Sequence, residues 1–157
     1  MDSEPLRIPL KINDLPIDRE IILAKPTDQD STFIVNSIPA FVYGVAFGDR
    51  IKINNFESGD FIVTARSGQL AIRIFIDGTL EKDEIRHLME NVTSLGGRFE
   101  IGINKEDKNK TSLLLVSVDI SKGFSEIESL MKKFEKVGGH WEYGNVYDQV
   151  GEPMNWW

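Results

Sequence analysis

The sequence has no cysteine, only two histidines and no long apolar run among its 157 residues. Without cysteine, the chain can form no disulfide, no thiolate zinc site and no cysteine nucleophile. No stretch approaches the roughly 20 apolar residues of a membrane-spanning helix. The first ten residues, MDSEPLRIPL, carry acids where a secretory signal carries lysines. These absences predict a cytoplasmic protein that does not enter a membrane.

Basic charge is also scarce. The formal net charge is -7, and both halves are acidic, with 10 acids and 7 bases in residues 1–68 and 15 acids and 11 bases in residues 69–157. Binding to a phosphate backbone requires an excess of bases, so we expect no nucleic-acid partner. The acidity favours a basic protein partner, or it serves solubility alone.

Signatures of catalysis and of metal binding are missing as well. His87 and His140 stand in no H-x-x-H or H-x-x-x-H pattern, and DQDST lacks the rest of a calcium loop. GVAFGDR lacks the lysine and hydroxyl of a phosphate loop, and no G-x-S-x-G occurs. We therefore predict no catalytic residue, no metal, no cofactor and no enzymatic activity.

What the sequence does contain is a repeat with a constant offset of 42 residues. EIRHLMENVTSLGGRFEIG, residues 84–102, aligns with EIESLMKKFEKVGGHWEYG, residues 126–144, and 71–77 aligns with 113–119. In each copy, alternating apolar residues predict a strand, an apolar stripe predicts a helix and a Gly-Gly pair predicts its end. Two strand-helix-strand units in tandem predict a ferredoxin-like βαββαβ sandwich, with the strands from Ala71 and Leu113 side by side in the centre.

Both helices are expected to cover one face of this sheet. Their apolar stripes are Ile85, Leu88, Met89 and Val92 in the first copy and Ile127, Leu130, Met131, Phe134 and Val137 in the second. The opposite face is predicted to carry Arg73, Phe75, Glu100, Leu115, Ser117 and Glu142. One aromatic ring among carboxylates does not suit stacking of RNA bases, so we expect the first half or the tail to cover part of this face.

The first half consists of short β-like segments separated by Pro, Asp, Asn and Gly, which predict a small barrel or a strongly curled sheet. Pro9 lies inside the first segment and places that strand at an edge. The predicted class is α+β, with a small all-β, barrel-like domain over 1–68 and a ferredoxin-like domain over 69–147. An acidic, aromatic tail follows over 148–157.

The candidate partner-binding residues combine carboxylates with aromatic rings, because acids attract a basic partner and Tyr and Trp anchor interfaces. They are Asp28, Asp30, Tyr147, Asp148, Glu152, Trp156 and Trp157. In an alternative role, the tail folds back and its indoles fill a groove between the halves. The sequence predicts no oligomeric state.

The stretch NSIPAFVYGVAFGD, Asn36 to Asp49, is apolar and contains one proline and two glycines. Pro39 fixes φ and lacks an N–H, so the chain is expected to leave a strand there. Gly44 and Gly48 permit positive φ, and Asp49 can accept hydrogen bonds from turn amides. The pattern predicts a turn and a buried crossing whose apolar residues are core, with no ligand.

This stretch, within FIVNSIPAFVYGVAFGDRIKI, is followed by ARSGQLAIRI and a C-terminal βαβ unit. In these features the chain, from about Glu20 to Tyr147, resembles an uncharacterised bacterial family, domain of unknown function four-two-six-five. The positions that carry the resemblance, with structural roles, are Asn36, Pro39, Phe41, Gly44, Gly48, Asp49 and Gly68. The resemblance supplies no established catalytic residues that could be carried over to this chain.

Two classes of function remain. The first is a partner-binding protein, in its sharpest form a bacterial immunity protein that neutralises a cationic toxin domain, such as a nuclease, by direct binding. Small size, acidity and the lack of catalytic signatures favour it. The alternative is a regulatory small-molecule sensor of ferredoxin-like type, with its ligand near Gly96-Gly97 or Gly138-Gly139. An enzyme ranks third.

Overall fold

The computed structural model describes residues 4–12, 18–78, 80, 83–102, 111–147 and 150–152. Within these ranges the chain forms two antiparallel sheets and two α-helices, as the α+β prediction requires. Each sheet has a core cluster of its own. The predicted contacts of Asp148, Trp156 and Trp157 lie outside the described residues.

The first sheet is a five-stranded meander in the order β1-β2-β3-β4-β5. Its strands are β1 Leu6–Lys11, β2 Arg19–Pro26, β3 Thr32–Val35, β4 Arg50–Asn55 and β5 Asp60–Ala65. Alternate side chains enter its core, which contains Ile8, Leu10, Ile22, Ala24, Phe33, Val35, Ile51 and Ile53. Pro9 lies in β1, which is an edge strand as predicted.

The first sheet is curled, but it is not a closed barrel. Its edge strands β1 and β5 form no ladder within the described residues. They meet where the Lys11 amide donates to the Gly59 carbonyl oxygen at 3.0 Å and where Lys11 Nζ lies 3.5 Å from Asp60 Oδ1. Of the two predicted forms, the strongly curled sheet is therefore the one found.

The second sheet contains four antiparallel strands in the order β7-β8-β6-β9, with β6 and β8 in the centre as predicted. A single turn of 3₁₀ helix, Ile120–Lys122, follows β8. The elements are β6 Gln69–Asp77, α1 Asp83–Ser94, β7 Arg98–Gly102, β8 Thr111–Asp119, α2 Phe124–Lys136 and β9 Gly139–Asn145.

Both helices pack on one face of this sheet, as predicted from their apolar stripes. Gly96 and Gly138 end them with φ of +76° and +90°, the left-handed conformation that glycine permits. A Cβ on Gly97 would lie 2.9 Å from the Val92 carbonyl oxygen, and one on Gly139 would lie 2.8 Å from that of Phe134. Close packing of backbone thus accounts for both Gly-Gly pairs.

Candidate functional site

Residues 36–49, which we call the cover segment, cross the face of the second sheet that the helices leave free. The Ile38 amide donates to Glu100 Oε2 at 2.8 Å, and the Gly44 amide donates to the Gly144 carbonyl oxygen at 2.8 Å. The Val42 side chain between these two bonds is fully buried and packs in the core of the first sheet, so the segment lies between the two sheets. The prediction that the first half covers part of this face is confirmed.

Glu20 of β2 holds the middle of the cover segment. Its carboxylate accepts three consecutive amides, from Ala40 at 2.5 Å, Phe41 at 2.9 Å and Val42 at 3.0 Å. A chain that has left its strand exposes unpaired N–H groups, and a carboxylate is a strong acceptor for them. This arrangement fixes the backbone that carries the exposed aromatic ring of Phe41.

Asp49 holds the end of the cover segment. Its carboxylate accepts the amides of Ala46 at 2.9 Å and Ser67 at 2.8 Å and lies 3.6 Å from Arg66 Nη1. The side chain is 1% exposed. Burial raises the pKa of the Asp49 carboxyl, although the two amides and Arg66 act in the opposite direction. The predicted bonds from Asp49 to turn amides are present.

Other motif positions act through the backbone. Gly44, Gly48 and Gly68 have φ of +79°, +85° and +84°, which a residue with a Cβ rarely adopts. Pro39 is buried and lies outside any strand, and the Asn36 amide continues the pairing of β3 with β2. Asn36, Pro39, Gly44 and Gly48 therefore shape the path of the cover segment, whereas Gly68 forms the turn before β6.

Arg73 of β6 lies under the cover segment and is only 2% exposed. Its Nη2 donates to the Val42 carbonyl oxygen, and its Nη1 lies 3.3 Å from Glu142 Oε1. The guanidinium carbon is 4.4 Å from the centre of the Tyr43 ring, within range of a cation–π interaction. Its Nε is buried and has no hydrogen-bond partner among the described residues.

Tyr43 is fixed at both of its ends. The ring rests on Arg73, and the hydroxyl donates to Glu142 Oε1 at 2.9 Å. The hydrogen bond to Glu142, followed by burial and the Glu142 charge, raises the pKa of Tyr43, while Arg73 opposes the shift. Tyr43 is therefore a neutral phenol that donates to a carboxylate at neutral pH.

Phe41 and Tyr43 are exposed to 53% and 45%, whereas Val42 between them is completely buried. The prediction that the apolar residues of this stretch are core holds for Val42, Val45 and Ala46 but is wrong for the two aromatic rings. Val42 packs in the core of the first sheet, whereas the Tyr43 ring lies against Arg73 of the second sheet and the Phe41 ring reaches solvent.

The exposed rings border a cavity of about 390 Å³, which we call the junction cleft. It is lined by Ile12, Asp18, Ala40, Phe41, Tyr43, Arg73, Phe75 and Glu142. The cleft is mostly apolar, with the carboxylates of Asp18 and Glu142 at its border and the buried guanidinium of Arg73 at its base. Such a surface can hold an aliphatic or cationic side chain against the rings.

Among the residues that the structure describes, the predicted partner-binding residues are not brought together. Asp28 and Asp30 are exposed in the turn between β2 and β3, at the end of the first sheet away from the cover segment. Tyr147 is half-buried near the second sheet, with its ring centre 4.3 Å from the Arg66 guanidinium carbon. Glu152 is exposed.

The structure also bears on the histidines, on metal binding and on membrane insertion. His87 and His140 are both exposed. Within the described ranges, no three His, Asp or Glu side chains are grouped to hold a metal ion. No helix in the part of the chain described here is long and apolar enough to cross a membrane.

The sequence does not predict the cleft as a site. It predicts Arg73 and Glu142 on the open face and Phe41 among the structural motif positions, but no motif connects them with Tyr43. The alternation of Phe41 and Tyr43 around Val42 was the available signal. The bonds from Glu20 and Glu142 join residues 20 to 99 positions apart, and no local pattern reveals them.

Comparisons with known proteins complete the description. A family model described as "Domain of unknown function (DUF4265)" matches residues 20–143. A solved structure titled "Novel crystal structure of a hypothetical protein from Neisseria gonorrhoeae" is similar, with a TM-score of 0.63 and 21% identity. The match covers 92% of this chain and 95% of that one and concerns the fold alone. No curated protein gives a significant match.

Proposed function

This chain belongs to the family described as a domain of unknown function (DUF4265), and from that premise we propose that it is a non-catalytic protein-binding module. In this proposal the junction cleft takes up a basic segment of a partner protein. The observation that carries it is the pair of exposed aromatic rings, Phe41 and Tyr43, held on a fixed backbone.

The rings are preorganised for binding. Glu20 fixes three consecutive amides of the cover segment, and the contacts with Arg73 and Glu142 fix the Tyr43 side chain. A partner that packs on these rings therefore pays little for ordering them. Aromatic anchors in such settings supply most of the binding energy of an interface, while the groups around them exclude water.

The charge of the cleft favours a base. Asp18 and Glu142 lie at its border, and the one base among its described lining residues, Arg73, is buried and already bound to Glu142. A Lys or Arg of the partner can lie over a ring and reach a carboxylate. The net charge of -7 adds attraction for a basic partner at long range.

The sharpest form of the proposal is a bacterial immunity protein, located in the cytoplasm, that neutralises a cationic toxin domain. Three of the titratable groups that line the cleft bond to one another, which supports a binding role rather than a catalytic one. Glu142 accepts from Tyr43 and pairs with Arg73, so these three groups are bonded to one another. The product of the adjacent upstream gene is the natural first partner to test.

A small-molecule sensor is the second candidate, and one observation favours it. A cavity of about 390 Å³ falls within the size range of ligand pockets, and a buried guanidinium lies at its base. A molecule with an apolar body and a carboxylate fits that chemistry. Thermal-shift screening against amino acids and nucleotides tests it, and a flat response across the set counts against a sensor.

We also infer that residues 69–147 adopt the ferredoxin-like arrangement. The strand order β7-β8-β6-β9 supports it, as does the position of α1 and α2 on one face. This architecture serves many functions, so the argument for binding rests on the cleft and not on the fold.

The experiment measures affinity calorimetrically for the purified neighbouring gene product and for a synthetic peptide of alternating lysine and leucine. Phe41→Ala is compared with Phe56→Ala, which removes a ring of similar exposure, 53% against 47%, in the turn between β4 and β5 and outside the lining of the cleft. We expect Phe41→Ala to weaken binding by about tenfold or more, with Phe56→Ala unchanged. Equal affinities for wild type and both variants, or no binding of either probe, would falsify the proposal.

A further inference from the structure

The outward face of the first sheet has a charge opposite to that of the whole chain. Residues 1–68 contain seven bases, and six of them alternate with the buried residues of β1, β2 and β4. These six are Arg7, Lys11, Arg19, Lys25, Arg50 and Lys52. The seventh, Arg66, is turned towards the second sheet, where its Nη1 donates to Asn145 Oδ1 at 3.0 Å.

The outward bases meet apolar side chains across the strands. The register pairs Arg7 with Leu23, Lys25 with Ile34, Ile34 with Arg50, and Lys52 with Ile62. Ile21, Leu23 and Ile62 are exposed to 56%, 41% and 50%. We call this surface the basic sheet face; it consists of Arg7, Lys25, Arg50 and Lys52 with Ile21, Leu23, Ile34 and Ile62.

Acids are scarce on this face. Asp60 is the one acid at the outward strand positions described, and Lys11 pairs with it at 3.5 Å. Arg19 donates to the Glu57 carbonyl oxygen. Arg7, Lys25, Arg50 and Lys52 form no ion pair with any residue that the structure describes. Four like charges around an aliphatic strip are thus left without a counter-charge.

We propose that the basic sheet face is a second docking surface, which binds an acidic protein surface bearing aliphatic side chains. Charge complementarity selects the partner, because the four bases attract carboxylates while the strip of Ile and Leu supplies apolar contact. The lysine stems can extend the apolar area, because long charged side chains lay their methylene groups along apolar surface while the ammonium stays in water.

Single-stranded nucleic acid suits this surface less well. Its recognition relies on aromatic rings that stack with the bases, and no aromatic residue occupies an outward position in the five described strands. The chain as a whole also repels a polyanion, with its net charge of -7. The carboxylates of a protein can be spaced to match four bases without bringing a continuous charged backbone.

The test uses the full chain labelled with nitrogen-15 and a synthetic peptide of alternating glutamate and leucine. The same spectra are recorded with a peptide of alternating lysine and leucine and with a single-stranded DNA oligonucleotide. We expect the acidic peptide to shift amide signals of β2, β3 and β4 and to leave those of residues 40–44 unchanged. The cleft variant Phe41→Ala is expected to bind it as the wild type does.

Matched charge reversals complete the test. Lys25→Glu with Lys52→Glu changes the basic sheet face, and Arg86→Glu with Lys133→Glu makes the same change in charge at exposed positions of α1 and α2. We expect the first pair to weaken binding of the acidic peptide by about tenfold or more and the second to leave it nearly unchanged.

Three results would overturn the inference: equal loss in both pairs, tighter binding of the DNA than of the peptide, or self-association of the chain through this face in place of peptide binding. None of them bears on the junction cleft, which is probed by the basic peptide and by Phe41→Ala. Failure of this inference is therefore distinguishable from failure of the proposed function.

Discussion

Replacement of Asp49 by alanine is expected to destabilise the protein strongly, because its buried carboxylate serves two backbone amides at once. Asp49→Ala leaves the amides of Ala46 and Ser67 without their acceptor and removes the ion pair with Arg66. Each buried donor left unsatisfied costs about 1–3 kcal/mol. Water can reach the half-buried Ser67, and the variant avoids the desolvation of the Asp49 carboxylate, so we expect a net loss of about 2–4 kcal/mol.

Urea unfolding measures this loss, with the fluorescence of the half-buried Trp141 as one reporter. At a slope of about 2 kcal/mol per molar urea, the middle of the usual range, the expected midpoint shift is roughly 1–2 M. Asp49→Asn is expected to lose about half as much, because an amide oxygen can still accept one of the two bonds. Asp28→Ala, at an exposed turn, is the control and should change stability by less than about 0.5 kcal/mol.

If Asp49→Ala lost no more unfolding free energy than the control Asp28→Ala, this reasoning would be refuted. If Asp49→Ala kept full stability but abolished binding of the basic partner, Asp49 would be a contact residue rather than an anchor of the cover segment. The two results are separable, because unfolding and binding are measured on the same purified variants.

Three further predictions concern the cover segment and the helix ends. Glu142→Gln should lower the raised pKa of Tyr43, which can be followed by the absorbance of the ionised phenol. The folded-state pKa of Tyr43 lies above the ordinary 10.0, so the stability that the neutral phenol contributes is present below pH 10.0 and is lost as the pH rises through the raised pKa. Gly97→Ala should lower the free energy of unfolding more than Gly96→Ala does, because a Cβ on Gly97 would meet backbone oxygens at 2.9 and 3.0 Å. A Cβ on Gly96 would meet nothing within 4 Å, so Gly96→Ala costs only about 1 kcal/mol for its positive φ. Glu20→Ala should speed hydrogen exchange at the amides of residues 40–42, and unchanged exchange there would contradict its role as their acceptor.

Much of the second half could be predicted from local patterns. The repeat at an offset of 42 residues placed β6 beside β8, and the stripe through Ile127 and Phe134 identified the buried face of α2. These features succeed because strand and helix periods are set by neighbours along the chain.

The site could not be predicted in the same way. Hydrophobicity treats Phe41 and Val42 alike, and only the tertiary packing, in which Val42 enters the core of the first sheet, determines that one is exposed and the other buried. Whether Arg73 would be buried depends on Tyr43 and Glu142, which lie 30 and 69 positions away. The basic sheet face had a readable signal, since Arg7 and Lys25 alternate with apolar residues of their strands, but a charge count over residues 1–68 averaged it away.

The central claim is that the junction cleft binds a basic partner. Hydrogen–deuterium exchange on the full chain, with and without the neighbouring gene product, tests it most directly, and the lysine-leucine peptide serves as a second probe. We predict new protection at residues 38–44 and 140–144, with no change in the exposed turn 27–31. Protection confined to that turn or to β2 and β4, or no protection with either probe, would contradict the claim.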